Sequence, residues 1–252
     1  MKQLIFRVLL LVGIFSSTSI ADITSNLEVH YAFDNNLVDA ANSNNLSVAG
    51  GGSAAYEAGK IGNAYTFNGL DNELSNSAMG YPDLTTGTVS FWIKTTNNGT
   101  HSLVIMGDAV NDADMDSSIN GISNMNAGGI TVTSAGINDG NWHHIVFTFD
   151  GTTNVYIDNV FKQSGASGST EIDTYLQVGG YNNSFRFSGA MDSLRIYSRV
   201  LSVGDIAELY NEAASVSTSN SVNVPISNLS YLFLILSILG IVFYKKREMV
   251  NT

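Results

Sequence analysis

The densest set of cation-binding groups in the sequence is a run of four aspartates near the middle of the chain: Asp108, Asp112, Asp114 and Asp116. Their alternate spacing from Asp112 onward is similar to the first half of a calcium loop, in which oxygen ligands occupy positions one, three and five. Ser117 replaces the turn glycine and Ser123 replaces the bidentate glutamate, so an EF-hand is excluded. The segment is therefore either a looser calcium or ligand loop, or a solvated acidic loop.

The acidic residues are not spaced for glycoside hydrolysis. That reaction uses two carboxylates roughly 5 to 9 Å apart, which on a single strand requires acidic residues at even spacing. The glutamates of the sequence stand singly, and no segment reads Glu-x-Asp-x-Glu. Serine nucleophile signatures, glycine-rich phosphate loops and dinucleotide fingerprints are also missing from the sequence. We therefore predict a protein without catalytic activity.

Histidine and aromatic residues offer two further kinds of chemistry. The adjacent His143 and His144 point to opposite faces of a strand, so they cannot both bind one zinc ion. Trp92 lies on the polar side of its strand, and Tyr181 and Phe185 lie in a loop, so each is a candidate platform on which a sugar ring could stack. The alternative for Trp92 is ordinary packing beneath a covering loop.

Composition excludes several classes of protein. The 252 residues are 44% hydrophobic and 13% charged, which favours a globular core over disorder. The chain has no cysteine, so disulfides, thiolate zinc sites and cysteine nucleophiles are excluded. Residues 22–212 hold 21 acidic and 6 basic residues. This excess of negative charge disfavours nucleic acid and suits divalent cations.

The N-terminus has the layout of a signal peptide. Lys2 and Arg7 precede the apolar run from Val8 to Phe15, and a small-residue stretch follows. We predict that residues 1–21 are removed after export.

The C-terminus has the layout of a membrane anchor. Residues 226–244 are 19 residues without a charge, and the basic cluster of the 245–252 tail follows them directly. This order predicts one transmembrane helix, an extracytoplasmic body and a cytoplasmic tail. Residues 213–225, rich in serine and asparagine, are predicted as a flexible stalk. The same layout resembles the sorting tails of PEP-CTERM type, which are cleaved, so both a plain anchor and a processed tail remain open.

Hydrophobic alternation with a period of two predicts strands through most of the body. In the segment Thr88 to Lys94, Val89, Phe91 and Ile93 share one face, and the segment Trp142 to Phe149 repeats the pattern. Asp158 and Asn159 separate two further strand segments as a tight hairpin turn. Segments 176–179 and 187–197 supply more strands, which together predict a two-sheet antiparallel sandwich.

One short helix is predicted near the end of the body. Ser202 and Asp205 form a capping box, and Ile206, Leu209 and Tyr210 follow at helical spacing.

Six segments in order carry a more specific likeness: Leu27 to Asp39, Gly59 to Gly69, Val89 to Lys94, Asn141 to His144, Tyr156 to Asp158, and Phe187 to Tyr197 with Leu201-Ser202. Over residues 27–211 the chain resembles laminin-G-like, concanavalin A-like jelly-roll domains. The resemblance implies an all-β fold, a two-sheet antiparallel jelly-roll sandwich with one short C-terminal helix, over a domain spanning 22–212.

The resemblance also implies a structural calcium ion. In many related domains such an ion joins the opening aspartate motif to the closing strand, here Asp34 and Asp192, with Asp39 as a further source of oxygen. The alternative is a hydrogen-bonded pair of turn carboxylates.

The sequence thus predicts an exported, surface-tethered, non-catalytic binding or adhesion module for carbohydrate or a surface protein. Asp108, Asp112, Asp114, Trp92 and Tyr181 are its candidate ligand-binding residues. Two alternatives remain open, because fold alone does not determine function. One is a degenerate polysaccharide-active enzyme, and the other is a structural surface or matrix protein without a small ligand.

Overall fold

The structure is a computed structural model that describes residues 22–80, 84–107, 115–120, 124–167, 174–181 and 184–216. The predicted signal peptide, most of the stalk, the predicted transmembrane segment, the basic tail and the residues Asp108, Asp112 and Asp114 lie outside the described residues.

The described residues form antiparallel strands followed by one helix. In chain order they are β1 Leu27–Tyr31, β2 Ser47–Val48, β3 Tyr56–Ala58, β4 Asn63–Asn68, β5 Leu74–Asn76, β6 Gly87–Lys94, β7 His101–Gly107, β8 Met115–Asn120, β9 Asn124–Ala127, β10 Ile130–Val132, β11 Trp142–Phe149, β12 Thr152–Ile157, β13 Val160–Ala166, β14 Tyr175–Val178, β15 Ser188–Tyr197 and α1 Val203–Val216. The predicted all-β class with one helix is confirmed.

The strands form two sheets. An eight-stranded sheet has the order β13-β12-β11-β6-β15-β4-β3, with β1 also paired to β15. A seven-stranded sheet has the order β10-β9-β8-β7-β14-β5-β2. Neighbouring strands are far apart in sequence at the centre of each sheet, so the core forms only when both ends of the domain are present.

The core lies between the two sheets. Val89, Phe91 and Ile93 of β6 face inward, as their alternation predicts, and meet Val104 and Leu176 of the other sheet. The hairpin between β12 and β13 is confirmed, because Asp158 and Asn159 both have positive φ, at 53° and 61°. We call the face of the eight-stranded sheet that points away from this core its outer face.

The helix packs on that outer face. Ile206 and Leu209 bury their side chains against Tyr197 of β15 and Val146 of β11. The capping box is confirmed, because the Asp205 amide donates to Ser202 Oγ at 3.2 Å and the Ser202 amide donates to Asp205 Oδ2 at 2.8 Å. The helix continues to Val216, past the start of the segment predicted as a stalk.

The chain divides into two units, residues 1–213 and 214–252, and of the second unit only the end of α1 is described. Within the described part of the chain, no helix is both long and apolar enough to span a bilayer.

Candidate ligand-binding site

A row of side chains crosses the outer face at one end of the eight-stranded sheet. The strand register places Trp142 opposite Lys94, Lys94 opposite Ala190, and Ala190 opposite Thr66. Directly paired residues of neighbouring strands point to the same face, so these four side chains form a line across β11, β6, β15 and β4.

The middle of this row is a depression because its residues are small. Ala190 stands between the longer side chains of Lys94 and Thr66, and a pocket of about 380 Å³, which Gly189 also lines, opens above it. A Cβ atom added at Gly189 would lie 2.5 Å from the Lys94 carbonyl oxygen. A larger residue at position 189 would therefore collide with β6.

Lys94 carries the positive charge of the pocket. Its Nζ lies 2.6 Å from Glu57 Oε1, and both side chains are about one third exposed, at 34% and 38%. The same ammonium lies 5.2 Å from the ring centre of the half-buried Trp142, which is cation–π distance. A cation, a carboxylate and an aromatic ring thus meet at one rim of the pocket.

Two buried oxygens at the pocket have no hydrogen bond. Thr66 Oγ1 has no partner, and Glu57 Oε1 touches the Lys94 ammonium without hydrogen-bond geometry. An unsatisfied buried oxygen costs about 1 to 3 kcal/mol, so Thr66 Oγ1 is poised to accept a hydrogen bond from a ligand or water. Glu57 Oε1 is already paired with the Lys94 ammonium.

The far wall of the pocket is a loop fixed by hydrogen bonds. The Gly140 amide donates to the Thr95 carbonyl at 2.9 Å, and Thr95 Oγ1 donates to the Ser188 carbonyl at 2.7 Å. These bonds join the loop before β11 to the ends of β6 and β15. The wall is therefore held in place before any ligand arrives.

His143 ties the same loop to the β12–β13 hairpin. Its Nδ1 lies 2.8 Å from Asp158 Oδ2 and its Nε2 lies 3.0 Å from Asp139 Oδ1. The hydrogen bond with Asp158, and then that with Asp139, raises the pKa of His143 above its ordinary value against the opposing effect of burial. The backbone amide of Asn141, with smaller contributions from its side chain and His143, lowers the pKa of Asp139 to about 2.

We call Glu57, Thr66, Lys94, Gly189, Ala190 and Trp142 the open region.

A few residues along the same sheet, the outer face is closed. The Trp92 ring, 2% exposed, stacks on His144 at 4.8 Å and on Tyr210 of α1 at 5.5 Å, with Lys60 Nζ 4.6 Å from its centre. Burial, and then the charge of Arg195, lowers the pKa of His144 to about 3. We call Trp92, His144, Tyr210 and Lys60 the covered region. The structure thus places Trp92 in packing rather than at a surface open to a sugar.

Asp34 and Asp192 converge on one turn although they lie far apart in sequence. Asp34 Oδ1 accepts a hydrogen bond from the Asn63 amide at 2.7 Å, and Asp192 Oδ2 accepts one from the Ile61 amide at 2.8 Å. Burial raises the pKa of Asp192 to about 6, and the charge of Asp34 adds to that rise. The structure thus brings the two carboxylates to one turn, whose backbone amides hydrogen-bond to both.

Asp39 does not join that pair. Asp39 is 3% exposed and accepts hydrogen bonds from the amides of His30, Ala41 and Asn44 at 2.9, 3.0 and 3.2 Å. It stabilises the loop that follows β1. Within the described residues, no group of three or more histidine, cysteine or acidic side chains could hold a metal ion.

The remaining candidate residues lie elsewhere. Tyr181 is half-buried and forms an isolated bridge with Ser184, and the neighbouring Phe185 is 53% exposed. Tyr181 therefore does not belong to the open region. Asp108, Asp112 and Asp114 fall outside the described residues.

Sequence reasoning missed the open region. Trp142 and Lys94 each lie on the outward parity of their strands, and this signal was present in the sequence. Their pairing depends on the register between β11 and β6, and the approach of Glu57 and Thr66 depends on the position of β15 between β6 and β4. No local pattern encodes either of these.

The two antiparallel sheets form a jelly-roll sandwich with a pocket on its outer face. A laminin G family model, described as the concanavalin A-like lectin/glucanases superfamily, matches residues 68–207. The chain belongs to this superfamily, and the resemblance seen in the sequence is confirmed. The curated proteins contain no significant match.

Solved structures show the same fold. Domain 4 of AbnA, a GH43 extracellular arabinanase from Geobacillus stearothermophilus, in complex with arabinotriose, is 26% identical, with a TM-score of 0.58 over 73% of this chain and 98% of that domain. The binding domain of Paraclostridial Mosquitocidal Protein 1 is 17% identical, with a TM-score of 0.60 over 76% of this chain and 53% of that chain.

The ligand binding domain of botulinum neurotoxin serotype D in complex with N-acetylneuraminic acid is 16% identical, with a TM-score of 0.55 over 75% of this chain and 51% of that chain. This chain therefore spans about half the length of these two toxin domains.

Proposed function

We propose that the protein is a non-catalytic carbohydrate-binding module whose site is the open region. The observation that carries this proposal is the pocket itself, in which a cation, a carboxylate and the unpartnered Thr66 Oγ1 meet, with the Trp142 ring beside the cation. Such a mixture suits a sugar, which presents hydroxyl groups at its edge and an apolar ring face. The complex of the related arabinanase domain with arabinotriose supports the same ligand class.

The composition of the pocket supports binding without catalysis. Glu57 is the one carboxylate among the described residues that line it. Glycoside hydrolysis uses two carboxylates about 5 to 9.5 Å apart, one as acid and one as base or nucleophile. A single carboxylate paired with a lysine binds hydroxyl groups but lacks the second catalytic group.

A glycan array tests this function. We expect the full-length protein, purified in a detergent without a sugar headgroup, to bind a reproducible set of glycans, with arabinotriose as the first candidate. Trp142→Ala should clearly weaken the signal, whereas Phe161→Ala, which removes an exposed aromatic ring on the β12–β13 hairpin, should keep it. No reproducible glycan, or equal binding by both variants, would contradict the proposal.

Calcium is proposed as a structural ion held by Asp34 and Asp192. A cation there would join β15 to the loop after β1 and would offset the cost of a buried carboxylate beside a second one. After the protein has been stripped with chelator, added calcium should raise the melting temperature of the wild type. This rise should be absent in Asp34→Asn and Asp192→Asn. A melting temperature that does not change with calcium would contradict the calcium proposal.

Export and tethering are proposed from the termini of the sequence. The apolar stretch 226–244 and its basic flank support an anchor that leaves the binding domain outside the cytoplasm. Protease added to intact cells should digest the domain, and the intact mass should show whether residues 1–21 and the C-terminal segment remain. Protection of the domain in intact cells would exclude this topology.

A surface protein is the second candidate partner. Val160 and Phe161 at the tip of the β12–β13 hairpin are 54% and 52% exposed, and Phe161 packs edge-on against Tyr156. Exposed neighbouring apolar side chains are typical of protein contacts. Val160→Ser with Phe161→Ser should then abolish adhesion or self-association while glycan binding persists.

A further inference from the structure

We infer that the open region selects neutral glycans and binds them by two adjacent hydroxyl groups held between Glu57 and Lys94. The inference rests on the proposed carbohydrate-binding function and adds to it the chemical class of the ligand. It arises from the ion pair in the pocket, the unpartnered Thr66 Oγ1 beside that pair, and the charge of the body.

The ion pair has the geometry of a diol clamp. Glu57 Oε1 and Lys94 Nζ lie 2.6 Å apart, and both side chains remain partly exposed to the pocket. Neighbouring hydroxyl oxygens on a sugar ring are separated by about one hydrogen-bond length, near 2.8 Å. One hydroxyl can therefore donate to the carboxylate while its neighbour accepts from the ammonium. Both bonds are charge-assisted, which makes them stronger than bonds between neutral groups.

A third contact comes from Thr66. Its Oγ1 is buried without a partner and belongs to the same cross-strand row as Lys94, with the small Ala190 between them. A further hydroxyl group of the ligand could donate to this oxygen. Trp142, at the other end of the row, offers an apolar surface to the ring itself.

The charges of the pocket disfavour an anionic glycan. Lys94 is the one cation among the described residues that line the pocket, and Glu57 already compensates its charge. A uronate or sialate carboxylate would have to displace Glu57 or lie beside it. Residues 22–212 carry 21 acidic against 6 basic residues, so the surrounding field repels anions as well. A neutral polyol keeps the ion pair intact and uses both of its members.

Matched glycans test this inference directly. The full-length protein, in a detergent without a sugar headgroup, is measured on an array with neutral glycans and their acidic counterparts, such as trigalacturonic acid and its carboxyl-reduced neutral trimer. We expect the neutral members to bind. Affinity for the strongest neutral glycan, measured by calorimetry, should fall about tenfold or more in Glu57→Gln and in Lys94→Met. Thr66→Val should lose less, because its contact is not charge-assisted.

Glu57→Gln should also shift the preference toward the acidic member, because it leaves Lys94 without its counter-charge. A purely structural role for the ion pair would not produce that shift. Glu208→Gln and Lys162→Met, which remove the same charges on α1 and β13, are the matched controls and should leave affinity unchanged. Melting temperatures establish that each variant is folded.

The outcomes separate the two proposals. Preferential binding of acidic glycans by the wild type, or wild-type affinity in both Glu57→Gln and Lys94→Met while Trp142→Ala weakens binding, would overturn the neutral-diol inference and leave the carbohydrate function standing. Absence of any glycan binding by the folded wild type would overturn both.

Discussion

The two tryptophans of this protein lie on the same face of the same sheet, yet they have opposite environments. Trp92 is 2% exposed beneath α1 and the turn that carries Lys60, whereas Trp142 is half-buried beside the pocket. The difference does not come from the strands, since β6 and β11 are paired directly. It comes from what covers each end of the sheet.

The covered region shows how the domain protects its outer face. Leu201, Ile206 and Leu209 bury themselves against Tyr197 and Val146, so apolar area is removed from water on both sides of the eight-stranded sheet. The open region has no such cover among the described residues, and its small central residues leave a pocket. We therefore expect stability to depend mainly on the covered region, and the proposed ligand binding on the open region.

Trp92→Ala should have the largest effect on stability. Removing a fully buried indole that stacks on His144 and Tyr210 should lower the free energy of unfolding by about 3 to 5 kcal/mol, measured by urea denaturation. Trp92→Phe keeps a ring in the stack and should lose clearly less. A loss for Trp92→Ala no larger than that for Trp142→Ala would erase the proposed contrast between the regions.

Leu209→Ala tests whether the packing of α1 on the sheet protects Trp92 from water. Truncating this fully buried helix residue should lower the free energy of unfolding by about 2 to 4 kcal/mol. In a Trp142→Phe background, the remaining Trp92 fluorescence should shift to the red as water reaches the ring. Ser202→Ala weakens the start of the same helix by about 1 kcal/mol without creating a cavity, so it serves as the comparison. Unshifted fluorescence in Leu209→Ala would mean that α1 does not protect Trp92.

Trp142→Ala should reduce glycan affinity more than it reduces stability. We expect its free energy of unfolding to fall by about 1 kcal/mol or less, because the ring is only half-buried, and glycan affinity to fall about fivefold to tenfold. Calorimetry and urea denaturation on the same preparation give both values. A large loss of stability with unchanged affinity would assign Trp142 to the scaffold.

The smallest effect is expected from pH at His143, next to Trp142. Its pKa is raised in the folded protein, so its stabilising contribution is fully present below the unfolded value of about 6.5 and is lost as pH rises through the folded pKa. Partly exposed ion pairs of this kind contribute at most about 1 kcal/mol. The contribution of His143 to the free energy of unfolding should therefore decline slightly as pH rises above 6.5.

His143→Gln is the control for that decline. Glutamine still reaches one of the two carboxylates but does not titrate, so the contribution of His143 to the pH dependence should be absent from this variant. Burial lowers the pKa values of His30 and His144 to about 4 and about 3, and their effect on stability near pH 6.5 is common to both proteins, so it cancels in the difference between the two curves. An identical slope in both proteins would place the titrating group elsewhere.

Much of the fold follows from local patterns. Alternation placed Val89, Phe91 and Ile93 in the core, and the bounds of β11 match the predicted segment from Trp142 to Phe149. The capping box at Ser202 marked the start of α1 because hydrogen bonds between residues three apart are encoded locally. The approach of Asp34 to Asp192 came from the family resemblance, and the structure brings both to one turn.

The candidate site is different, because its members come from five strands. Parity showed that Lys94 and Trp92 share the outward side of β6, but it did not show that α1 covers one and leaves the other open. Whether an outward residue is covered depends on where α1, which follows β15, packs across the sheet. Trp92 was therefore predicted as a platform while Lys94 and Trp142 were passed over.

The sequence alone determined which side of each strand faces the core, where the hairpin turns, and that the body is an acidic β-sandwich. These properties depend on hydrophobic period, turn chemistry and composition, which are local or summed quantities. Tertiary structure decided that Trp142, Lys94, Glu57 and Thr66 meet, because register and strand order are global properties of the packed sheets. A pocket exists only where strand register, strand order and the position of the helix leave part of a sheet face uncovered.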